Sequence, residues 1–181
     1  MFKYLFFILI LSGVSLLALY DDNIILPLIL ENHYGDGRYT VVNPETTISY
    51  LNDFHFSIDP LIINGYNCTP LFHELIKKNQ QIVNLTIKSD PSNGYIIDQD
   101  NTFSKYFLPN GGGWDKLYEE NPKVVGLTSV SLPMYDKERN LVMVYKSFIQ
   151  HYLAGQGDLI VYMLNKNRTL HELGRRMIWI S

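Results

Sequence analysis

The chain opens on an almost unbroken apolar run. Between Tyr4 and Leu19 only Ser12, Gly13 and Ser15 interrupt it, Lys3 precedes it, and Asp21 and Asp22 close it. A positive start, an apolar centre and a small residue near the exit mark an export segment. Ala18 offers a cleavage position, but Leu16 stands where a second small residue is preferred, so an uncleaved anchor is the other outcome. The run falls slightly short of the roughly 20 apolar residues that span a bilayer. It has no polar face, which a soluble surface helix would need. Residues 1–20 are therefore expected as a signal peptide or membrane anchor, and 21–181 as a single domain.

Beyond that segment the pattern predicts alternating helices and strands. Residues 23–34 place apolar side chains around most of a helix that stops at Gly35-Asp36-Gly37, with Pro27 in the first turn if the helix begins at Leu26. A strand over 38–43 ends at Pro44. The stretch 46–67 is loose, with Asp59-Pro60 and Asn64-Gly65 as turn signals. Thr69 then reads as a helix cap ahead of Pro70, with Leu71 and Leu75 on one face. Residues 82–88 alternate Val83, Leu85 and Ile87 with polar positions, which is the period of a half-buried strand. Trp114, Leu117 and Tyr118 form the apolar side of a helix stopped at Pro122.

The last 60 residues carry the clearest signal. Four β-rich runs, 126–132, 141–149, 158–164 and 170–180, are separated by polar or glycine-containing stretches and predict an antiparallel four-stranded meander. In the second run Val142, Val144, Lys146 and Phe148 alternate with Leu141, Met143, Tyr145 and Ser147, and helices are expected on one of these faces. The fold class expected is α+β, with N-terminal helices packed on this meander in a cystatin- or NTF2-like arrangement.

Charge and cysteine content narrow the chemistry. Fifteen Lys and Arg face 18 Asp and Glu, a net charge of -3. The basic residues do not cluster beyond Lys77-Lys78 and Arg175-Arg176, so no nucleic-acid partner is expected. Cys68 is the one cysteine, which leaves no internal disulfide, redox pair or cysteine zinc cluster. Asn67, Asn84 and Asn167 begin glycosylation acceptor tripeptides, which matter only in a eukaryotic secretory pathway.

No catalytic, cofactor-binding or metal-binding residue is assigned. His73-Glu74-Leu75-Ile76-Lys77 and His171-Glu172-Leu173-Gly174-Arg175 begin like a zinc-protease helix, but Lys77 and Arg175 stand where the second ligand must be. The Asp98-Gln99-Asp100-Asn101-Thr102 stretch opens like a calcium loop, then places Phe103 at position six and Pro109 at position twelve. Gly111, Gly112 and Gly113 precede a helix without a nucleotide-loop lysine and read as a tight turn that lets Trp114 pack. His33, His55, His73, His151 and His171 are scattered, and Cys68 has no neighbouring histidine. The many aromatic residues read as core, with a sugar- or peptide-binding platform as the other use of the same residues.

Trp114, Leu117, Tyr118 and Pro122, then Gly126, Ser131, the strand from Val142 to Tyr145, Leu153, Gly155, Gly157 and the terminal Trp179-Ile180-Ser181 form a recurring pattern. On these residues the stretch 113–181 resembles a family of small exported bacterial proteins of unknown function, several of them lipoproteins. In that family the turn reads Cys-Gly-x-Leu-Cys-Gly-x-Gly. Gln150 and Ala154 replace the two cysteines here, as if a family disulfide had been dropped. The resemblance implies export, a bacterial origin and an α+β fold; it implies no activity, cofactor or catalytic residue.

The function expected is that of a non-enzymatic exported protein, periplasmic or extracellular or held by its uncleaved signal, which binds an unidentified protein or small ligand at the cell envelope. Contact with the membrane is expected only through residues 1–20. The alternative is an envelope hydrolase whose site is assembled only in three dimensions. A toxin-neutralising partner is a third reading, drawn from small size and acidic charge.

Overall fold

The computed structural model describes residues 20–53 and 60–181. The expected export segment, apart from Tyr20, and His55 lie outside these residues, and among them no helix is long and apolar enough to cross a membrane. The described chain holds four α-helices: α1 (Asp22–Leu30), α2 (Ser49–Asp53), α3 (Thr69–Lys78) and α4 (Gly113–Glu120). Its strands are β1 (Tyr39–Val42), β2 (Ile62–Ile63), β3 (Tyr66–Asn67), β4 (Tyr95–Ile97), β5 (Val124–Val130), β6 (Met134–Asp136), β7 (Leu141–His151), β8 (Ala154–Leu164) and β9 (Leu170–Ile180).

The fold is mixed α and β, but its sheet is larger than the expected meander. Seven strands join in the order β4-β1-β5-β7-β8-β9, with β6 pairing β7 beyond the end of β5. β1 lies parallel to both β4 and β5, and the remaining pairs of this sheet are antiparallel. β2 and β3 make a separate hairpin around Asn64-Gly65, where both residues have positive φ.

Helices cover both faces, not one, because β7 is apolar on both. Val142 and Val144 bury against Ile25, Leu26, Ile29 and Leu30 of α1. Leu141, Met143 and Tyr145 bury on the opposite face against Leu71, Phe72 and Leu75 of α3. A third cluster, Val41, Phe103, Tyr106, Trp114, Leu117 and Val124, seats α4 at the parallel end of the sheet.

Four local expectations change. α1 begins at Asp22, capped by Asp21, whose carboxylate accepts from the Asn23 N–H at 2.9 Å, so Pro27 stands inside the helix and not in its first turn. Thr69 is the first residue of α3 and not its cap; its hydroxyl accepts from the Leu61 N–H at 2.8 Å and so fastens the base of the β2–β3 hairpin. Residues 82–88 form no strand. Leu85 and Ile87 do turn inward, yet Asn84 makes only a single bridge, to Glu45, and Gln99 satisfies the Leu85 carbonyl at 2.9 Å. Finally, β8 begins at Ala154, which shrinks the turn expected over 151–157 to Tyr152 and Leu153.

Candidate functional site

α1 is shorter than the sheet face it covers, and the site follows from that mismatch. The helix ends at Leu30, over Val144 and Ile160, while β7 and β8 run on in register. Past the helix end the same face turns polar, with Lys146 and Phe148 on β7 and Gln156 and Asp158 on β8. A cavity of about 550 Å³ opens there, lined among others by Lys146, Phe148, Asp158, Tyr162, Arg175 and Ile180. That volume lies within the range of small-molecule pockets, and the lining mixes apolar walls with a few charged groups.

The charges are arranged as a chain across three strands. Lys146 stands opposite Asp158, which is only 5% exposed. The Asp158 Oδ2 accepts from Gln156 Nε2 at 2.8 Å and lies 3.4 Å from Arg175 Nη1. Arg175 gives its fork to Glu172, Nε at 2.8 Å and Nη2 at 2.6 Å. That bond raises the Arg175 pKa further and keeps the guanidinium charged.

Lys146 is different. Its Nζ donates to the Ile29 carbonyl at 3.0 Å, one of the carbonyls left without a helical partner at the end of α1. No carboxylate of the described residues lies within 4.0 Å of it. Burial lowers its pKa to about 8, the Arg175 charge acts the same way, and Glu172 partly opposes both. Burial also pushes the Tyr162 hydroxyl up to about 12, so it stays a neutral donor.

Glu172 and Arg175 share a face only because the strand bulges. Three residues apart on a regular strand they would point to opposite sides. Val161 pairs with Gly174 and Tyr162 with Glu172, so Leu173 is the extra residue that brings both charges onto the cavity face. The histidine-glutamate stretch at 171–175 therefore serves an ion pair, not a metal. The signal in the sequence was Gly174, a glycine inside a strand pattern.

The other sequence candidates fall elsewhere. The Asp98 carboxylate is spent on the N–H groups of Phe103 and Ser104, at 3.1 and 2.8 Å, and on the Ser104 hydroxyl at 2.6 Å, so it caps a turn. Gly112 and Gly113 turn with positive φ, and a Cβ at Gly113 would lie 2.0 Å from the Tyr152 hydroxyl. Trp114 is buried directly after them, with His151 stacked on it. His33 and His73 are exposed, and no histidine of the described residues lines the cavity. Cys68 is fully buried under α3. Among the described residues no three His, Cys, Asp or Glu side chains gather closely enough to hold a metal.

Chemically, the cavity offers one ammonium with spare donors beside an ion-pair network of Arg175 with the Asp158 and Glu172 carboxylates, a neutral phenol and apolar walls. That set suits an anionic group attached to a partly apolar body. No family model, curated protein or solved structure matches the chain.

Proposed function

We propose that this chain is an exported binding protein whose cleft past the end of α1 takes a small molecule bearing a carboxylate or phosphate group. One observation carries the reading: Lys146 is a half-buried cation with no carboxylate within 4.0 Å among the described residues, whereas Asp158, opposite it on β8, is engaged by Gln156 and Arg175, and Arg175 also by Glu172. Holding an unpaired ammonium in a partly desolvated place is unfavourable unless an anion completes it. Phe148 and Ile180 would flank the apolar part of such a ligand.

Export is supported by the apolar opening of the chain and by the likeness of its C-terminal part to exported bacterial proteins.

The test is calorimetric titration of the purified protein with a panel of small carboxylates and phosphate monoesters, repeated on Lys146→Met. At least one class should bind, and the variant should bind it at least tenfold more weakly, as expected for a lost charge-assisted hydrogen bond of about 1.5–3 kcal/mol. Equal binding by both proteins, or none by the wild type, overturns the reading. The hydrolase alternative has one specific feature in its favour, an amine that is part neutral near pH 8 inside a cavity. Turnover of an ester substrate, lost in Lys146→Met, would favour it.

A further inference from the structure

The three parallel strands create a second opening, on the opposite face of the sheet. β4, β1 and β5 run the same way, so their carboxyl ends share one rim. The chain leaving β1 joins the cluster over β7 and β8 through Ile48 and Leu51, while the chain leaving β4 joins the α4 cluster through Phe103 and Tyr106. Both connections run over this one face, the first toward β7 and β8 and the second toward α4, and residues just past the ends of β1 and β4 line a crevice between them. A cavity of about 320 Å³ occupies the crevice.

Its floor is apolar, from Val41, Leu127 and Ile149, and Phe107 stands at its side, 38% exposed and held edge-on to Trp114. Its rim is polar. Among the described residues the Asn43 and Asn101 amide nitrogens, the Ser129 hydroxyl and the Glu45 carboxylate have no hydrogen-bond partner, although each residue lines the cavity. The turn that carries Asn101 is fixed from beneath by Asp98, so this part of the rim is organised before any ligand arrives. Among the described residues no Lys, Arg or His belongs to the lining, which does include Glu45 and Asp98. An anion would find no counter-charge here. A molecule with many hydroxyls would find donors, acceptors and an aromatic ring for its C–H face.

We propose that this crevice is a second binding site, for a neutral carbohydrate of about one sugar unit. It is independent of the anion cleft, because the two openings lie on opposite faces and share no lining residue.

The test is amide NMR of the purified full chain titrated with the methyl glycosides of glucose, galactose, mannose and N-acetylglucosamine, and in parallel with acetate and a simple alkylammonium salt. At least one glycoside should shift amides in 43–45, 98–104 and 127–129. Asn43→Ala, a surface change, should weaken that binding at least tenfold, Phe107→Ala should do the same, and Lys146→Met should leave it unchanged. The proposal is overturned if no glycoside moves these amides, if Asn43→Ala has no effect, or if acetate or the ammonium salt moves them as strongly.

Discussion

Trp179 donates its indole N–H to the Tyr145 hydroxyl at 2.7 Å, and it reaches that hydroxyl across the bare backbone of Gly157. A Cβ at Gly157 would lie 2.2 Å from the indole nitrogen. Tyr145 is fully buried, and the indole satisfies the hydroxyl of one of the largest buried side chains in the core. The glycine, the tyrosine and the terminal tryptophan are thus one packing unit spread over three strands.

Trp179→Ala should therefore lower stability by roughly 3 kcal/mol, and Trp114→Ala by roughly 3–5 kcal/mol, as for truncated core aromatics. Gly157→Ala should cost about 1–3 kcal/mol through overpacking. In the Trp179→Ala background the same glycine change should cost less, because the clash with the indole is gone and only the approach to the Tyr145 hydroxyl, at 2.7 Å, is left. Urea denaturation of the four proteins measures this coupling. Additive effects of the two changes would show that Gly157 and Trp179 do not interact.

Lys146 links stability and binding to pH. Its pKa is about 8 in the folded chain against 10.5 for an ordinary lysine, so between these values the unfolded chain holds the extra proton. Stability contributed at this position must then rise as pH goes from about 8 to about 10.5. Below pH 8 the buried charge is a standing penalty, set by burial and by Arg175 and relieved in part by Glu172. Wild type should gain on Lys146→Met across that window in denaturation experiments. Anion affinity at the cleft should move the other way and fall as Lys146 loses its proton.

The sequence made the long C-terminal strands legible because they are β-rich runs set apart by polar or glycine-containing turns, and it made α3 and α4 legible because Pro70 and Pro122 punctuate them. Other parts depended on information that alternation does not hold. β1 and β4 are four and three residues long and find each other only across the sheet, in parallel. The alternation at 82–88 marks Leu85 and Ile87 as inward but fails at Val83, which is exposed; burial needs only an apolar surface, whereas a strand needs a free edge to pair with. The cleft was partly visible. A lysine between Val144 and Phe148 is an anomaly in a half-buried strand, but its isolation depends on where α1 stops, and the Glu172–Arg175 fork depends on a bulge.

The two helical layers are tied together at the far end of the sheet. Lys78, at the end of α3, donates to Asp22 Oδ1 at 2.9 Å and to the Pro133 carbonyl at 2.8 Å, and the Tyr135 hydroxyl donates to the same Asp22 oxygen at 2.6 Å. Burial and the carboxylate hold the Tyr135 hydroxyl far above its ordinary pKa. Both charges are about a quarter exposed, so solvent screens the pair but does not cancel it. Lys78→Met should lower stability by about 1 kcal/mol, measured by chemical denaturation, with a smaller loss at high salt. An unchanged midpoint would reduce the contact to a surface pair without weight.

The hairpin between β7 and β8 offers a direct test of the resemblance to the exported bacterial family. The expected resemblance would place the family's two cysteines at Gln150 and Ala154. In the structure Ile149 pairs with Gly155 and His151 with Ala154, so Gln150 is the extra residue of a bulge beside Ala154. Neighbouring positions on paired strands fall near the Cα separations that a disulfide accepts. Gln150→Cys combined with Ala154→Cys should therefore oxidise to a bridge, seen as a mass loss of about two hydrogens and the disappearance of free thiols other than Cys68. The closed loop is short, and the chain-entropy estimate gives it only about 2 kcal/mol of stabilisation. If both new thiols persist under oxidation, the family's turn does not align with this one, and the support that the likeness lends to export falls with it.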